Sequence, residues 1–215
     1  MALFITFEGI EGCGKTTQIG LLAERLRGRG RDILSTREPG GCPIADQIRA
    51  ILLDAANSAM DSRTELLLYA AARAQHVAEV IRPALDAGRI VLCDRYTDAT
   101  LAYQGFGRGL DRDLIARLNG IAAGDVRPDL TVLLDYPPEE GLVRARRRNQ
   151  SQAGANEDRF EQESGAFHRR VRQGYLDLAA REERFRIVDA RGSIDEVAGR
   201  VEAVVDQFLA GEALA

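Results

Sequence analysis

A chain of 215 residues with 45% hydrophobic residues and a formal net charge of −4 can bury one ample core and is short for two. That charge offers no overall pull toward nucleic acid, so bound anions need local arginine clusters, and no run approaches the ~18 apolar residues of a membrane span. With no signal-peptide pattern at the start, a single cytoplasmic domain over residues 1–215 is expected, with neither a nucleic acid nor a membrane as partner.

The first apolar run, residues 3–7, reads as a buried strand, and Leu21, Leu22 and Leu26 follow at helical spacing. Between them, Gly9-Ile10-Glu11-Gly12-Cys13-Gly14-Lys15-Thr16 fits G-x-x-x-x-G-K-[ST] without a mismatch. Strand, glycine-rich turn and helix N-terminus together make an anion site. Loop N–H groups and the positive end of the helix dipole converge on a polyphosphate, and glycines permit the φ angles and close approach this requires. Residues Gly9 through Thr17 are thus expected to bind the donor nucleotide, with Lys15 across its β- and γ-phosphates and the Thr16 hydroxyl on a magnesium ion. Lys15 is the only lysine in the chain, a compact ammonium kept where a point charge must fit among phosphate oxygens.

A second strand, 32–36, ends in Arg37-Glu38-Pro39-Gly40-Gly41, and charges after a strand suit the ligand-facing edge of a sheet. A helix carrying Ile44, Ile48, Ile51 and Leu52 follows, with Pro43 in its first turn. Ser62 with Glu65 reads as a capping box opening a long helix toward Gly88, bent near Pro83, on which Tyr69 and Arg73 share one face. A third strand, 89–93, stops abruptly at Asp94-Arg95-Tyr96. Residues 97–109 are polar, aromatic and glycine-containing, and a helix through Leu110, Leu114, Leu118 and Ile121 comes next. The fourth strand, 129–135, leads through Pro137-Pro138 into a helix ending Arg144-Ala-Arg-Arg-Arg148. Small polar residues over 149–158 read as a mobile loop, and helical spacing resumes near Phe160. A short strand, 186–189, and a helix capped by Ser193 and Glu196 close the chain.

Alternating strands and helices define an α/β fold: a parallel five-stranded sheet with helices on both faces. Cys13, Cys42 and Cys93 have no metal-ligand spacing and read as free thiols of a reducing compartment. His76 and His168 lack a partner pattern and read as surface or packing residues.

The loop alone implies ATP or GTP and leaves kinase, GTPase switch and motor open. A guanine-reading Asn-Lys-x-Asp is absent, since the single lysine is already in the loop, and a motor normally brings more chain. Charged strand ends and an arginine-rich segment suit phosphoryl transfer between two small anions. Arg95, at a strand end beside the loop, is the candidate to bridge the acceptor phosphate and the transferred group. Asp94 can hold a magnesium-bound water, and Glu11 can orient acceptor or metal.

The set Phe7-Glu-Gly-Ile-Glu-Gly-Cys-Gly-Lys-Thr-Thr17, Arg37-Glu-Pro-Gly-Gly41, Asp94-Arg-Tyr96, Ala102-Tyr-Gln-Gly105 and Asp158-Arg-Phe-Glu161 resembles the bacterial thymidylate kinases over nearly the whole chain. The resemblance implies a P-loop kinase that transfers the γ-phosphoryl of ATP to dTMP with Mg²⁺, works as a homodimer, and closes a lid over roughly residues 144–160. Members lacking an arginine in the phosphate loop supply one from the lid, which makes Arg148 the first candidate here, ahead of Arg144, Arg146, Arg147 and Arg159. Tyr69 would stack on thymine, Arg73 would donate to O4, and Gln104 would serve the ring N–H. Thr100 and Tyr103 map near base and deoxyribose, and Glu38 and Arg49 map to sugar and phosphate contacts. Another nucleotide or nucleoside kinase, or an ATP-driven switch, are the alternative readings.

Overall fold

The computed structural model describes residues 2–151 and 159–212, and side chains at 148–151 and 212 fall outside that description. Five strands form one wholly parallel sheet in the order β2-β3-β1-β4-β5: β1 (Leu3–Glu8), β2 (Ile33–Arg37), β3 (Ile90–Asp94), β4 (Leu130–Asp135) and β5 (Phe185–Asp189). Each expected strand is present, shifted at its ends by a residue or so. Residues with two-residue periodicity separate to the two faces. Leu3, Ile5 and Phe7 join the larger core, with Ile19, Leu22 and Leu26 of α1 (Lys15–Gly28) and Val197, Val201 and Val205 of α9 (Ile194–Glu212). Phe4 points the other way, packing with Val91, Cys93, Val77, Ile81 and Ala123.

The remaining helices are α2 (Pro43–Leu53), α3 (Ser62–His76), α4 (Arg82–Asp86), α5 (Thr97–Thr100), α6 (Arg112–Ala123), α7 (Pro138–Ser151) and α8 (Gly165–Ala179). Three expectations change here. Asp61, not Ser62, caps α3, its carboxylate accepting from the Arg63 N–H, while Glu65 is buried and bonded elsewhere. The expected bend at Pro83 takes the form of a π-helical stretch, Val77–Ile81, between α3 and α4. A proline has no N–H for the α ladder, and a wider turn absorbs the mismatch. Residues 97–109, which showed no clear period, are helical: α5 continues into a second π-helical stretch, Leu101–Gly107. The Ser193–Glu196 box is present, Glu196 Oε2 accepting from the Ser193 N–H at 2.7 Å. No helix among the described residues is long and apolar enough to cross a membrane, and Cys13, Cys42 and Cys93 are buried free thiols.

Phe7 pairs with Asp94 across β1 and β3, so the chain leaves both strands at the same edge, side by side. Directly beneath this edge lies Glu8, fully buried, accepting from the Tyr96 N–H and the Tyr175 hydroxyl, each at 2.8 Å. Burial, with Asp98 nearby, pushes its carboxyl up from 4.5 to about 8 against the opposing pull of Arg95 and those two bonds. A raised folded-state value means that the native state holds the extra proton, so this stabilisation is complete below about pH 4.5 and is lost as the pH rises through about 8. Glu8→Gln keeps the shape without titrating. Thermal melts of both proteins between roughly pH 5 and 8.5 should show the wild type losing Tm relative to the variant as the pH rises; a constant difference would show that Glu8 stays ionised.

Candidate active site

A cleft of about 560 Å³ opens where β1, β2 and β3 end. One end is the glycine-rich loop. Gly14 (φ 96°) caps α1 in the left-handed region and Gly12 has φ 70°, conformations a side chain resists. The loop is also pressed on the start of α7: a Cβ on Gly12 would stand 2.0 Å from the Gly141 carbonyl oxygen, and one on Gly141 would stand 2.5 Å from that of Glu11. Nothing local in the sequence marks the approach at Gly141, because Gly12 and Gly141 stand 129 positions apart. Glu11, Gly12, Gly14, Lys15, Thr16 and Thr17 face the cleft. Gly9, Ile10 and Cys13, expected with them, lie behind: Ile10 and Cys13 are core residues, and Gly9 packs on the Leu134 carbonyl. The Lys15 ammonium folds back onto the Gly9 and Ile10 carbonyls at 3.0 and 2.9 Å.

The adjoining strand end brings Asp94 and Arg95 to the loop, as expected. The Thr16 hydroxyl donates to Asp94 Oδ2 at 2.8 Å. Arg95 does not pair with its neighbour Asp94. It has φ 69°, the one non-glycine residue with positive φ among those described, and reaches across to Glu11 Oε1 at 3.0 Å and the Tyr175 hydroxyl at 3.1 Å, its guanidinium over the Tyr103 ring. Such a conformation is costly and persists where surrounding contacts hold it, as at functional sites. Burial alone would raise the Glu11 carboxyl, but Arg95, His168 and the Tyr103 hydroxyl outweigh it and hold it well below the usual carboxylate range. His168 is fully buried, with Nδ1 3.2 Å from Glu11 Oε2 and Nε2 3.0 Å from the Phe160 carbonyl oxygen.

The far end is a pocket of fixed donors and acceptors. Arg73, 1% exposed, uses four of its five N–H groups on the protein: Nε on Glu38 Oε2 (2.8 Å), Nη1 on Asn119 Oδ1 (2.6 Å), and Nη2 on both the Tyr96 carbonyl and Thr100 Oγ1 (3.0 Å each). One Nη1 hydrogen remains, and the residue lines the cleft. Thr100 and Glu38, expected to touch substrate, both bond Arg73, and Glu38 lines the cleft as well. The other Glu38 oxygen faces His76 Nδ1 at 3.1 Å, and His76 Nε2 faces the Thr36 hydroxyl at 2.7 Å. His76 and His168 are thus buried polar connectors, not surface residues. Their carboxylate partners, Glu38 and Glu11, lie 38 or more residues away, beyond any local pattern. Tyr69, Tyr103, Gln104 and Arg49 line the cleft as expected, Arg49 bonding the Pro39 carbonyl at 3.0 Å, and Phe160 joins them unforeseen, its ring edge-on to Tyr103.

The lid arginines divide. Arg144 lines the cleft with its guanidinium 4.4 Å from the Tyr136 ring centre. Arg146 bonds the Glu161 carbonyl, and Arg159 is buried against Glu65 and the Leu52 carbonyl. The Arg148 side chain and residues 152–158 lie outside the described residues.

Thr16 and Asp94 suit a magnesium ion, which keeps several waters and takes one or two carboxylates plus phosphate oxygens rather than an all-protein cage. No group of three or more His, Cys, Asp or Glu side chains converges among the described residues.

The sequence profile of the thymidylate kinase family matches residues 7–201. The thymidylate kinase of Syntrophotalea carbinolica is 65% identical over 202 residues, covering 94% of each chain. That of Geobacter sulfurreducens is 64% identical over 206 residues, 95% of this chain and 97% of its own. The crystal structure of thymidylate kinase from Ehrlichia chaffeensis superposes with a TM-score of 0.76 at 35% identity, covering 95% of this chain and 98% of that one.

The loop's contact with α7 is testable. Gly141→Ala places a Cβ against a backbone oxygen that cannot yield, an overpacking cost of about 1–3 kcal/mol. A Tm lowered by several degrees and a weakened triphosphate affinity in calorimetry are expected; unchanged affinity would show that the loop does not depend on this approach.

Proposed function

This chain belongs to the thymidylate kinase family, and on that premise we propose how its residues carry the γ-phosphoryl group of ATP to dTMP, giving dTDP and ADP. One observation carries the reading: a single cleft is lined both by the phosphate loop and by Arg95, Tyr69, Gln104 and Arg73, the last with one Nη1 hydrogen not used on the protein. Thymine offers a carbonyl at O4 and an N–H at ring position 3. Arg73 supplies the donor for the first and Gln104 the acceptor for the second, with Tyr69 flanking the ring plane. The amino group of cytosine would meet a donor instead.

The acceptor phosphate is already ionised near neutral pH, so no strong general base is needed. Positioning and charge neutralisation do the work. Lys15 exchanges the Gly9 and Ile10 carbonyls for the β- and γ-phosphates, and the loop N–H groups hold the donor in line. Arg95 turns from Glu11 and Tyr175 to the acceptor phosphate and the transferred group, while Glu11 and Tyr103 border the sugar. Arg49 reaches the acceptor phosphate from the α2 side. Thr16 and Asp94 would hold Mg²⁺, which when bound would neutralise charge on the phosphate oxygens. Arg148 remains our candidate for the arginine that closes from the lid, and the placement of Arg144 at the cleft makes it the second.

The whole of residues 1–215 acts as one kinase domain in the cytoplasm, a reading supported by its free thiols. We also propose a homodimer through α2 and α3, where Ile44, Ile51 and Leu67 are about half exposed, Ile44 and Ile51 standing two turns apart on one stripe.

A phosphoryl-transfer screen over dTMP, dUMP, dCMP, dAMP and thymidine should show preference for dTMP; preference for the nucleoside would refute the reading. Arg73→Ala should raise the KM for dTMP and leave that for ATP nearly unchanged, and equal losses would remove Arg73 from base recognition. Arg148→Ala should lower kcat on the order of a thousandfold with a smaller change in the KM for ATP; wild-type turnover would take it out of the mechanism, and the same assay on Arg144→Ala separates the two arginines.

A further inference from the structure

Glu65, near the start of α3, is 1% exposed and has no place in the phosphoryl transfer. Its carboxylate nevertheless receives four donors on its two oxygens. Oε1 accepts from Gln104 Nε2 at 2.7 Å and Arg108 Nε at 3.3 Å. Oε2 lies 2.7 Å from Arg159 Nη1 and 3.2 Å from Arg108 Nη2. Two carboxylate oxygens offer about four lone-pair sites, so the group is saturated and presents nothing but acceptors. A side-chain amide can face such a group in one orientation only, with its NH₂ inward. The Gln104 carbonyl oxygen is thereby turned away from Glu65; it accepts no hydrogen bond among the described residues, and Gln104 lines the cleft.

We propose that Glu65 determines base specificity by locking the Gln104 amide with its oxygen toward the base. This rests on the dTMP kinase reading above. Thymine carries an N–H at ring position 3, which an oxygen accepts. Cytosine carries a bare nitrogen there, which an oxygen repels and an NH₂ would welcome. A freely flipping glutamine would serve ring position 3 of both bases, because the two ends of an amide have nearly the same shape. The two arginines donate to the remaining lone pairs of Glu65, and Arg159 ties the lock to the end of the lid segment. Glu65 does not touch the substrate in this scheme; it is a positioning residue acting through Gln104, and it discriminates by a mispaired polar contact rather than by size.

Glu65→Gln supplies both a donor and an acceptor to Gln104 and releases the lock. The ratio of kcat/KM for dTMP to that for dCMP should fall about tenfold, while the KM for ATP stays nearly constant. Glu65→Asp, which remains an acceptor, should keep the ratio even if turnover drops. In a Gln104→Ala background, Glu65→Gln should leave the ratio unchanged. If Glu65→Gln fails to fold because Arg159 has lost its counter-charge, Glu65→Gln/Arg159→Met removes charge and counter-charge together and should show the same tenfold fall. Calorimetric affinities for dTMP and dCMP should shift in the same direction as the rates. A wild-type ratio in a folded Glu65→Gln or double variant, or an equal fall with and without Gln104, overturns the proposal and leaves the dTMP kinase reading intact. Absence of dTMP phosphorylation by the wild type overturns both.

Discussion

Everything in the cleft depends on the parallel register of β1 with β3. Because Phe7 lies opposite Asp94, the phosphate loop and the Asp94-Arg95 turn emerge together, and a hydroxyl from one meets a carboxylate from the other at 2.8 Å. A one-residue slip would exchange the faces of every β3 side chain and send Val91 and Cys93 into the wrong core. The apolar packing on both sides of the sheet is therefore what holds that distance.

Above that frame the site is built from buried polar groups that restrain one another. Arg73 is held by Glu38, Asn119, Thr100 and the Tyr96 carbonyl, Glu38 by His76, and Gln104 by Glu65. Each connection costs desolvation and is tolerated because nearly every donor has its acceptor. The return is geometric: one Arg73 N–H and the Gln104 side-chain oxygen are left without a protein partner among the described residues, at positions that thermal motion of loose side chains would blur. The other end of the cleft behaves differently. Lys15 rests on loop carbonyls and Arg95 on Glu11 and Tyr175, long side chains held by few bonds each.

Much was legible before any coordinates. The five strands follow from apolar runs of strand length, and the loop follows from its glycines, since few residues can take those φ angles. The charges at the ends of β2 and β3 pointed to the cleft because polar groups there have no other use in a buried sheet. Less legible were 97–109, where functional side chains interrupt the apolar period of a helix and a π-helical stretch shifts it. Ser62 and Glu65 had the spacing of a capping box, and a local pattern could not reveal that Glu65 is claimed by Arg108, Arg159 and Gln104.

What the sequence determined by itself is the order of elements and the chemistry of each strand end, because these depend on neighbours within a few residues. The tertiary structure decided which side chains line the cleft and what holds them: Glu38 and Thr100 bond Arg73, Glu38 lining the cleft as well, and His76, His168, Glu65 and Gly141 join the set of supports. The physical reason is that a hydrogen bond or a backbone contact is settled by distances of about 3 Å between atoms that stand dozens of positions apart along the chain, and periodicity carries no record of them.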